Sequence, residues 1–517
     1  MKLCDNHLLC AAAVAAVTAF ASAPVLAQDI TIAVAEQPDA LDSTHAYQAS
    51  HSTILRNIYE TLTARDPVTG ALVPSLATAW EQIDDTTWHF TIREGVTFHD
   101  GSDLNAEVVA FGLDWTWNAD RSGSISIRGF MGPTMEFEAI DDYLVEIRLS
   151  DPDPLLPTRL YASTIPSMQQ IQNDPEGWLT SPIGTGPYQF VDWVRGSHVD
   201  LERFDDWWGL TADDAQGTPA FESARFLIRT ENAARIAALR AGEVLMAERL
   251  APDVCLIELG DDCINAPASS HVFIKMDNNH PVLGDARIRT AISHAIDREG
   301  IGEAIMGGAS PVSQLVAASV LGHDPELPPH EFDPERAREL IAEAVSDGVP
   351  VNEMPLRLIA RQDSFPGNDQ VLEAILEMMS QVGLTNVSAS ILEPSSFNPI
   401  WLTNYAEIEE DRGVMALHRQ PNEWFDLAPV ASIYYVCWGQ GASYCSEEAT
   451  ETFALGSAAS GNEREAYLRE LSRIVYEDNP YTMIVDQPLF HGIDTGQLSW
   501  TPRVDMSILL KDMAPVN

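Results

Sequence analysis

The stretch VTFHDGS, residues 96–102, sets His99 beside Asp100 and Gly101, a pairing that can serve acid–base chemistry or bind a metal. A metal site needs several convergent ligands, and no neighbouring His or Cys completes one. Gly101 permits backbone conformations that a side chain would block, and Asp100 can accept from the amides of its own turn. The segment is therefore expected to be a turn. Acid pairs recur at Asp84-Asp85, Asp205-Asp206 and Glu409-Glu410, but in a chain with 77 Asp and Glu such pairs are expected to be solvated surface. The patterns G-x-S-x-G, H-E-x-x-H, G-x-x-x-x-G-K-[ST] and G-x-G-x-x-G are absent from the sequence. In IGTGPYQF, residues 183–190, Pro187 follows the second glycine and no third glycine falls in register. No catalytic residue, resident metal or cofactor is expected, and an exported hydrolase is the reading these absences argue against.

The chain has 517 residues, enough for two or three domains. Lys and Arg number 30, giving a formal net charge of −47, which disfavours partnership with nucleic acid or an anionic membrane surface. Lys2 precedes an apolar run from Leu8 to about Ala23 that ends in small residues. This pattern predicts a signal peptide over 1–27, cut after Ala27, and a soluble exported protein. Cys4 and Cys10 would leave with it. The remaining Cys255, Cys263, Cys437 and Cys445 are an even set, which favours disulfides in an exported chain. Four cysteines allow three connectivities; the two short-range pairs are preferred, and the lack of C-x-x-C spacing makes thiol metal binding the weaker reading.

The elements that must position any site follow from periodicity. DITIAVA (29–35) alternates as a strand, and STILRNIYETL (52–62) places Ile54, Leu55, Ile58, Tyr59 and Leu62 on one helical face. TTWHFTI (86–92) points Trp88, Phe90 and Ile92 one way and His89 the other. Asn105 reads as the N-cap of the next helix, and residues 135–149 as a hairpin turning at Asp141-Asp142. Further strands are expected near 187–194, 198–204 and 224–229. The helix ENAARIAALRAG follows and stops at Gly242. From 271 onward strands and helices alternate, with Asp333-Pro334 as N-cap and first helical residue, and YTMIVD (481–486) is expected as the last strand. The alternation predicts α/β lobes with largely parallel sheets.

NIYETLTARDPVTGALVPSLATAW (57–80), TIREGVTFHDGSDLNAEVV (91–109), IGTGPYQF, RFDDWWG (203–209), ARIRTAISHAIDREGI (286–301) and FDPERARELIAEA (332–344) follow one another in order. Together they resemble the peptide/nickel-type family of extracellular solute-binding proteins that serve ABC importers, over about residues 29–490. The resemblance implies an α/β, two-lobed periplasmic-binding-protein fold with an extra inserted domain and two crossing strands between lobes. It places lobe one at 28–63, 186–270 and 486–517, the inserted domain at 64–185 and lobe two at 271–485. It implies a monomeric periplasmic receptor that closes around a small-molecule or peptide ligand and delivers it to an inner-membrane ABC permease. Short peptides or related zwitterions are the expected ligands, with an oligosaccharide, an opine or a chelated metal as the alternative.

The same resemblance assigns site residues. Relatives that bind peptides carry, after the strand corresponding to Arg412–His418, a Trp-containing loop whose acid grips the ligand's amino group. In this chain the loop offers Glu423, Trp424 and Asp426, with Glu423 on the amine-binding position and Asp426 as the second choice. Leu427 stands where the family has proline, and His418-Arg419 where Gly-Trp is common. Arg361, at the end of the strand LRLIAR, matches an arginine that binds the ligand's carboxylate. His45 and Tyr47, after the first strand, fall in a loop that lines the cleft, and Trp401, Trp424 and Trp438 offer aromatic walls. His418 and Arg419 are candidates for an anionic ligand group.

Overall fold

The computed structural model describes residues 29–516 apart from 39, 43–48, 119–133, 175, 216, 268–269, 363 and 423. The expected signal peptide lies outside the described residues. No helix among the described residues is long and apolar enough to cross a membrane.

Three sheets organise the chain. A seven-stranded sheet runs in the order Cys263–Ala266, Leu489–Ile493, Met246–Leu250, Asp29–Val34, Ser223–Ile228, His198–Arg203, Tyr188–Val194. A five-stranded sheet runs Val387–Leu392, Leu356–Arg361, Val414–Pro421, Ser270–Met276, Tyr481–Asp486. The third is an antiparallel four-stranded sheet, Ala77–Asp84, Thr87–Ile92, Leu144–Leu149, Met135–Asp141. The first two sheets are the centres of two lobes, and the chain passes between them twice. Cys263–Ala266 leads into Ser270–Met276, and Tyr481–Asp486 returns to Leu489–Ile493. The two passages are tied where Gln487 N donates to Ser270 O at 2.9 Å.

The sheets are less parallel than the alternation suggested. Leu356–Arg361 pairs in parallel with both Val387–Leu392 and Val414–Pro421, as strand–helix–strand units require. Ser270–Met276, which brings the chain into this lobe, is antiparallel to both its neighbours. In the larger sheet only Asp29–Val34 makes parallel pairs, because hairpins and the returning strand Leu489–Ile493 supply the rest. Tyr481–Asp486 is also not the last strand: Leu489–Ile493 and the short pair Leu498–Ser499 with Ala514–Pro515 follow it.

Local signals explain most element ends. Asp333 Oδ1 accepts from Arg336 N at 2.9 Å and Pro334 opens the helix Pro334–Ser346, which buries Ala337, Leu340, Ile341 and Ala344 at helical spacing. Asn105 Oδ1 caps the helix Ala106–Asn118 by accepting from Val108 N at 3.0 Å. Trp88, Phe90 and Ile92 enter the core of the four-stranded sheet's domain, while His89 on the opposite face meets Glu146 at 2.8 Å.

The helix expected over 52–62 ends at Leu55. Ile54, Leu55, Ile58, Tyr59 and Leu62 are all buried, but the carbonyls after the helix are taken by another segment. Tyr188 N donates to Asn57 O at 3.1 Å and Gly186 N to Ile58 O at 2.9 Å. A Cβ on Gly184 or Gly186 would collide with these carbonyls, which is why the segment reads G-T-G. His99 holds the same segment: Nε2 donates to Gly186 O at 3.0 Å, and Nδ1 accepts from Gly184 N at 3.3 Å. Burial pushes its pKa down to about 4, so the ring is neutral. Asp100 accepts from Ser102 N at 2.9 Å and from Ser167 Oγ at 3.0 Å, and Gly101 sits at φ +78°. VTFHDGS is a structural turn.

The cysteines pair as Cys255–Cys263 and Cys437–Cys445. In the chain-entropy view, closing each short loop contributes ~2–3 kcal/mol. Replacing Cys437 and Cys445 together with serine is expected to lower unfolding free energy by about that amount in urea titrations. Non-reducing peptide mapping should recover no peptide linking Cys255 to Cys437.

Candidate functional site

Leu356–Arg361 and Val414–Pro421 are parallel neighbours, so their C-terminal ends open on one edge of the five-stranded sheet. Such edges are where α/β folds place ligands. Arg361 ends the first strand and His418 and Arg419 lie near the end of the second. The Arg361 guanidinium is half-buried, has no hydrogen bond or ion pair among the described residues, and its Nε is buried without an acceptor. Arg419 instead is anchored, its Nε donating to Ser364 O at 2.8 Å. His418 packs against both Phe397 and Trp401, and Nδ1 meets Ser364 Oγ at 2.6 Å. Burial first, then the charges of Arg361, Arg419 and Lys275, pushes its pKa down to about 3. His418 is therefore a neutral ring at this edge.

Lys275, which the sequence reading did not select, lies beneath this edge. Its Nζ donates to Trp401 O and, at 2.7 Å, to Gly441 O, and sits 4.9 Å from the Trp401 ring centroid. Burial, reinforced by nearby Arg412, lowers its pKa to about 7. Trp401 is core, packed on Phe273, Phe397 and Tyr434. Trp438 is exposed against Phe453 and lies outside any wall formed by Trp401.

The loop after Val414–Pro421 reaches the domain of the four-stranded sheet, where Trp424 packs against its core. Asp426 caps the helix Leu427–Tyr434 through Ala428 N at 2.7 Å. Its carboxylate is buried against Arg464, with Nη2–Oδ1 at 3.0 Å and Nε–Oδ2 at 3.1 Å. Burial raises the carboxyl pKa and the Arg464 charge opposes that rise. With both oxygens committed, Asp426 holds the loop in place. This corrects its expected part as a reserve amine-binding acid, because no face of the carboxylate is left for a ligand. Glu423, His45 and Tyr47 lie outside the described residues.

Trp424 and Phe425 make the contacts to that domain. Arg65 Nη1 donates to Gly70 O at 2.7 Å and Nη2 to Trp424 O at 2.8 Å, while its guanidinium lies 4.4 Å from the Phe425 ring centroid. Phe425 sits at φ +56°, and a Cβ on Gly70 would collide with its ring. Arg159 lies over Trp424 at 5.9 Å. The sequence reading missed Arg65 and Arg159, since nothing in their local pattern announces a partner about 270–360 residues away. Among the described residues no three His, Cys, Asp or Glu side chains gather as a metal-binding group.

Comparison with known proteins places this arrangement. Residues 71–440 match the family described as bacterial extracellular solute-binding proteins, family 5. The glutathione-binding protein GsiB of Pectobacterium atrosepticum is 28% identical over 334 residues, and that of Salmonella typhi 27% over 341 residues. The first match covers 63% of this chain, and the chain spans 63% of that relative's length. Among solved structures, CtaP of Listeria monocytogenes, an ABC transporter substrate-binding protein, superposes with a TM-score of 0.79 at 20% identity, covering 95% of this chain and 99% of that one. DppA of Helicobacter pylori, solved with the peptide STSA, gives 0.73 at 19% identity, covering 94% and 98%. These likenesses establish the two-lobed fold, and the family match over most of the chain establishes that it belongs to family 5 of the bacterial extracellular solute-binding proteins.

Proposed function

We propose that the protein is the periplasmic receptor of an ABC importer, taking short peptides or related zwitterions between its lobes and delivering them to the permease. It acts as a monomer, exported by a signal peptide ending near Ala27. Lobe one comprises 28–63, 186–270 and 486–517, lobe two 271–485, and 64–185 the inserted domain. Closure turns on the paired passages near Ser270 and Gln487.

The observation that carries the reading is Arg361: a half-buried guanidinium with no partner among the described residues, at the C-terminal edge of its parallel strands. An unpaired charge in such a place is costly, and a carboxylate answers it in bidentate geometry. Glu423, in the loop that reaches the inserted domain, is the matching acid for an amino group. The names of the relatives, glutathione-binding at 27–28% identity, support the same ligand class.

Thermal unfolding and calorimetry with glutathione and with dipeptides to pentapeptides test this. A ligand at about 100 times its dissociation constant should add about 2.7 kcal/mol of stability. The ligand should be recovered unchanged. A shift for sugars and none for any peptide would overturn the peptide assignment.

A further inference from the structure

A second concentration of positive charge lies on the other side of the Arg65–Trp424 contact. A cavity of about 50 Å³ is walled by the side chains of Arg56, Arg65, Arg503, Lys511, Glu60 and Tyr161, among others. By the measure in which a water needs roughly 10–15 Å³, it has room for a carboxylate group with a water beside it. Lys511 is one of only three lysines in the chain.

The acids nearby are already used. Glu60 accepts from Thr185 Oγ at 2.9 Å, Trp208 Nε1 at 2.8 Å and Trp207 Nε1 at 3.2 Å. Asp505 is held by Arg503 at 2.8 Å and by the Tyr161 hydroxyl at 2.9 Å, and Asp512 by Arg503 Nη1 at 3.0 Å. The cations are not used to the same degree. The Arg56 guanidinium rests over the Tyr161 ring at 4.1 Å and makes no hydrogen bond or ion pair among the described residues. Lys511 Nζ lies 5.6 Å from the Trp207 ring centroid, its charge facing Glu60, and likewise has no hydrogen bond among them. Arg65 Nε is buried without an acceptor. Four cations, Arg56, Arg65, Arg503 and Lys511, thus face three acids, Glu60, Asp505 and Asp512, in a protein whose net charge is −47. Arg65 Nε is a buried donor left without an acceptor, and beside it Arg56 and Lys511 are half-buried charges; the partner that would answer all three is an anion.

We propose that this cavity seats a carboxylate of the solute, separate from the one Arg361 takes, so that the preferred ligand is an acidic peptide carrying two carboxylates. The proposal rests on the solute-receptor reading for the source of the carboxylate. Arg65 links the two regions, since it walls the cavity and holds Trp424 O at 2.8 Å. A ligand reaching from the Arg361 edge past the Trp424 loop would place its second acid group among Arg56, Arg65 and Lys511.

The test is calorimetric titration with tripeptides bearing Glu at the first, second or third position, each against its Gln counterpart. Wild-type protein should prefer Glu at one position by about 10-fold or more, and Lys511→Gln and Arg56→Gln should each bring that ratio to within about twofold. If Lys511→Gln does not fold, the half-buried Arg56→Gln carries the comparison. Peptide binding with no Glu preference, or a preference that survives both substitutions, overturns the proposal. So does loss of binding to amidated peptides that depends on Lys511, because the cavity would then read the terminal carboxylate. If no peptide binds, the peptide reading fails by itself, and melting in potassium acetate against potassium chloride at equal ionic strength decides the cavity. A rise specific to acetate that both substitutions abolish supports a carboxylate site. An equal rise in all proteins, or none, overturns it. Acetate binding without a Glu preference in peptides that do bind means a free anion occupies the cavity, and overturns the solute subsite.

Discussion

Arg464→Met is expected to destabilise the protein by about 3–5 kcal/mol, the typical consequence of leaving one member of a buried ion pair without the other. Asp426 is 3% exposed and Arg464 5%, so neither charge can recover solvation by a small movement. The carboxylate would keep only the amide of Ala428, at 2.7 Å. Urea unfolding of the single variant measures the loss. The double replacement Asp426→Leu with Arg464→Met removes both charges and should regain most of it, because two apolar side chains of similar volume need no partner. A loss below about 1 kcal/mol in the single variant would mean that water reaches the pair. The folded double variant also separates structure from recognition: if Asp426 only holds the loop, its peptide affinity should stay close to wild type.

Arg361→Ala should weaken binding of a free peptide by about 30-fold or more, since removing one member of a desolvated charge pair costs ~2–5 kcal/mol. The same substitution should matter little for a peptide amidated at its C-terminus. Glu423→Gln should show the mirror pattern, a large loss for free peptides and a small one for N-acetylated peptides. Calorimetric titrations of the four combinations give the coupling directly. Equal losses for capped and free ligands would place both residues in folding or closure, and no loss in either variant would remove them from the site.

What could be read from the chain beforehand was what short segments decide for themselves. Asp333-Pro334 starts its helix, Asn105 caps another, and Trp88, Phe90 and Ile92 turn to the core because local chemistry and period agree. The cysteine pairs are legible for the same reason, each being eight residues apart. The early end of the helix at Leu55 was not, because its carbonyls are claimed by Gly186 and Tyr188 about 130 residues later. Asp426 looked like a ligand acid for an equally physical reason: its sequence neighbourhood is that of a binding loop, and the arginine that occupies it comes from residue 464. Arg56, Arg65 and Lys511 lie in three separate stretches with no common pattern, and only the fold brings them to one cavity.

The return of the chain through Leu489–Ile493 also sets a clock. That strand lies between Cys263–Ala266 and Met246–Leu250, so the larger sheet has a gap in its interior until residue 493 exists. At about 5–20 residues per second, synthesis takes roughly 10–45 s to travel from residue 266 to residue 493. Throughout that interval Met246–Leu250 and Cys263–Ala266 each present an unpaired edge, and the lobe that was begun first is finished last. A nascent chain truncated before 489 should therefore remain protease-sensitive in the strands of its larger sheet, within 29–34 and 188–266, however long it waits, and resistance there should appear in one step once the returning strand is released.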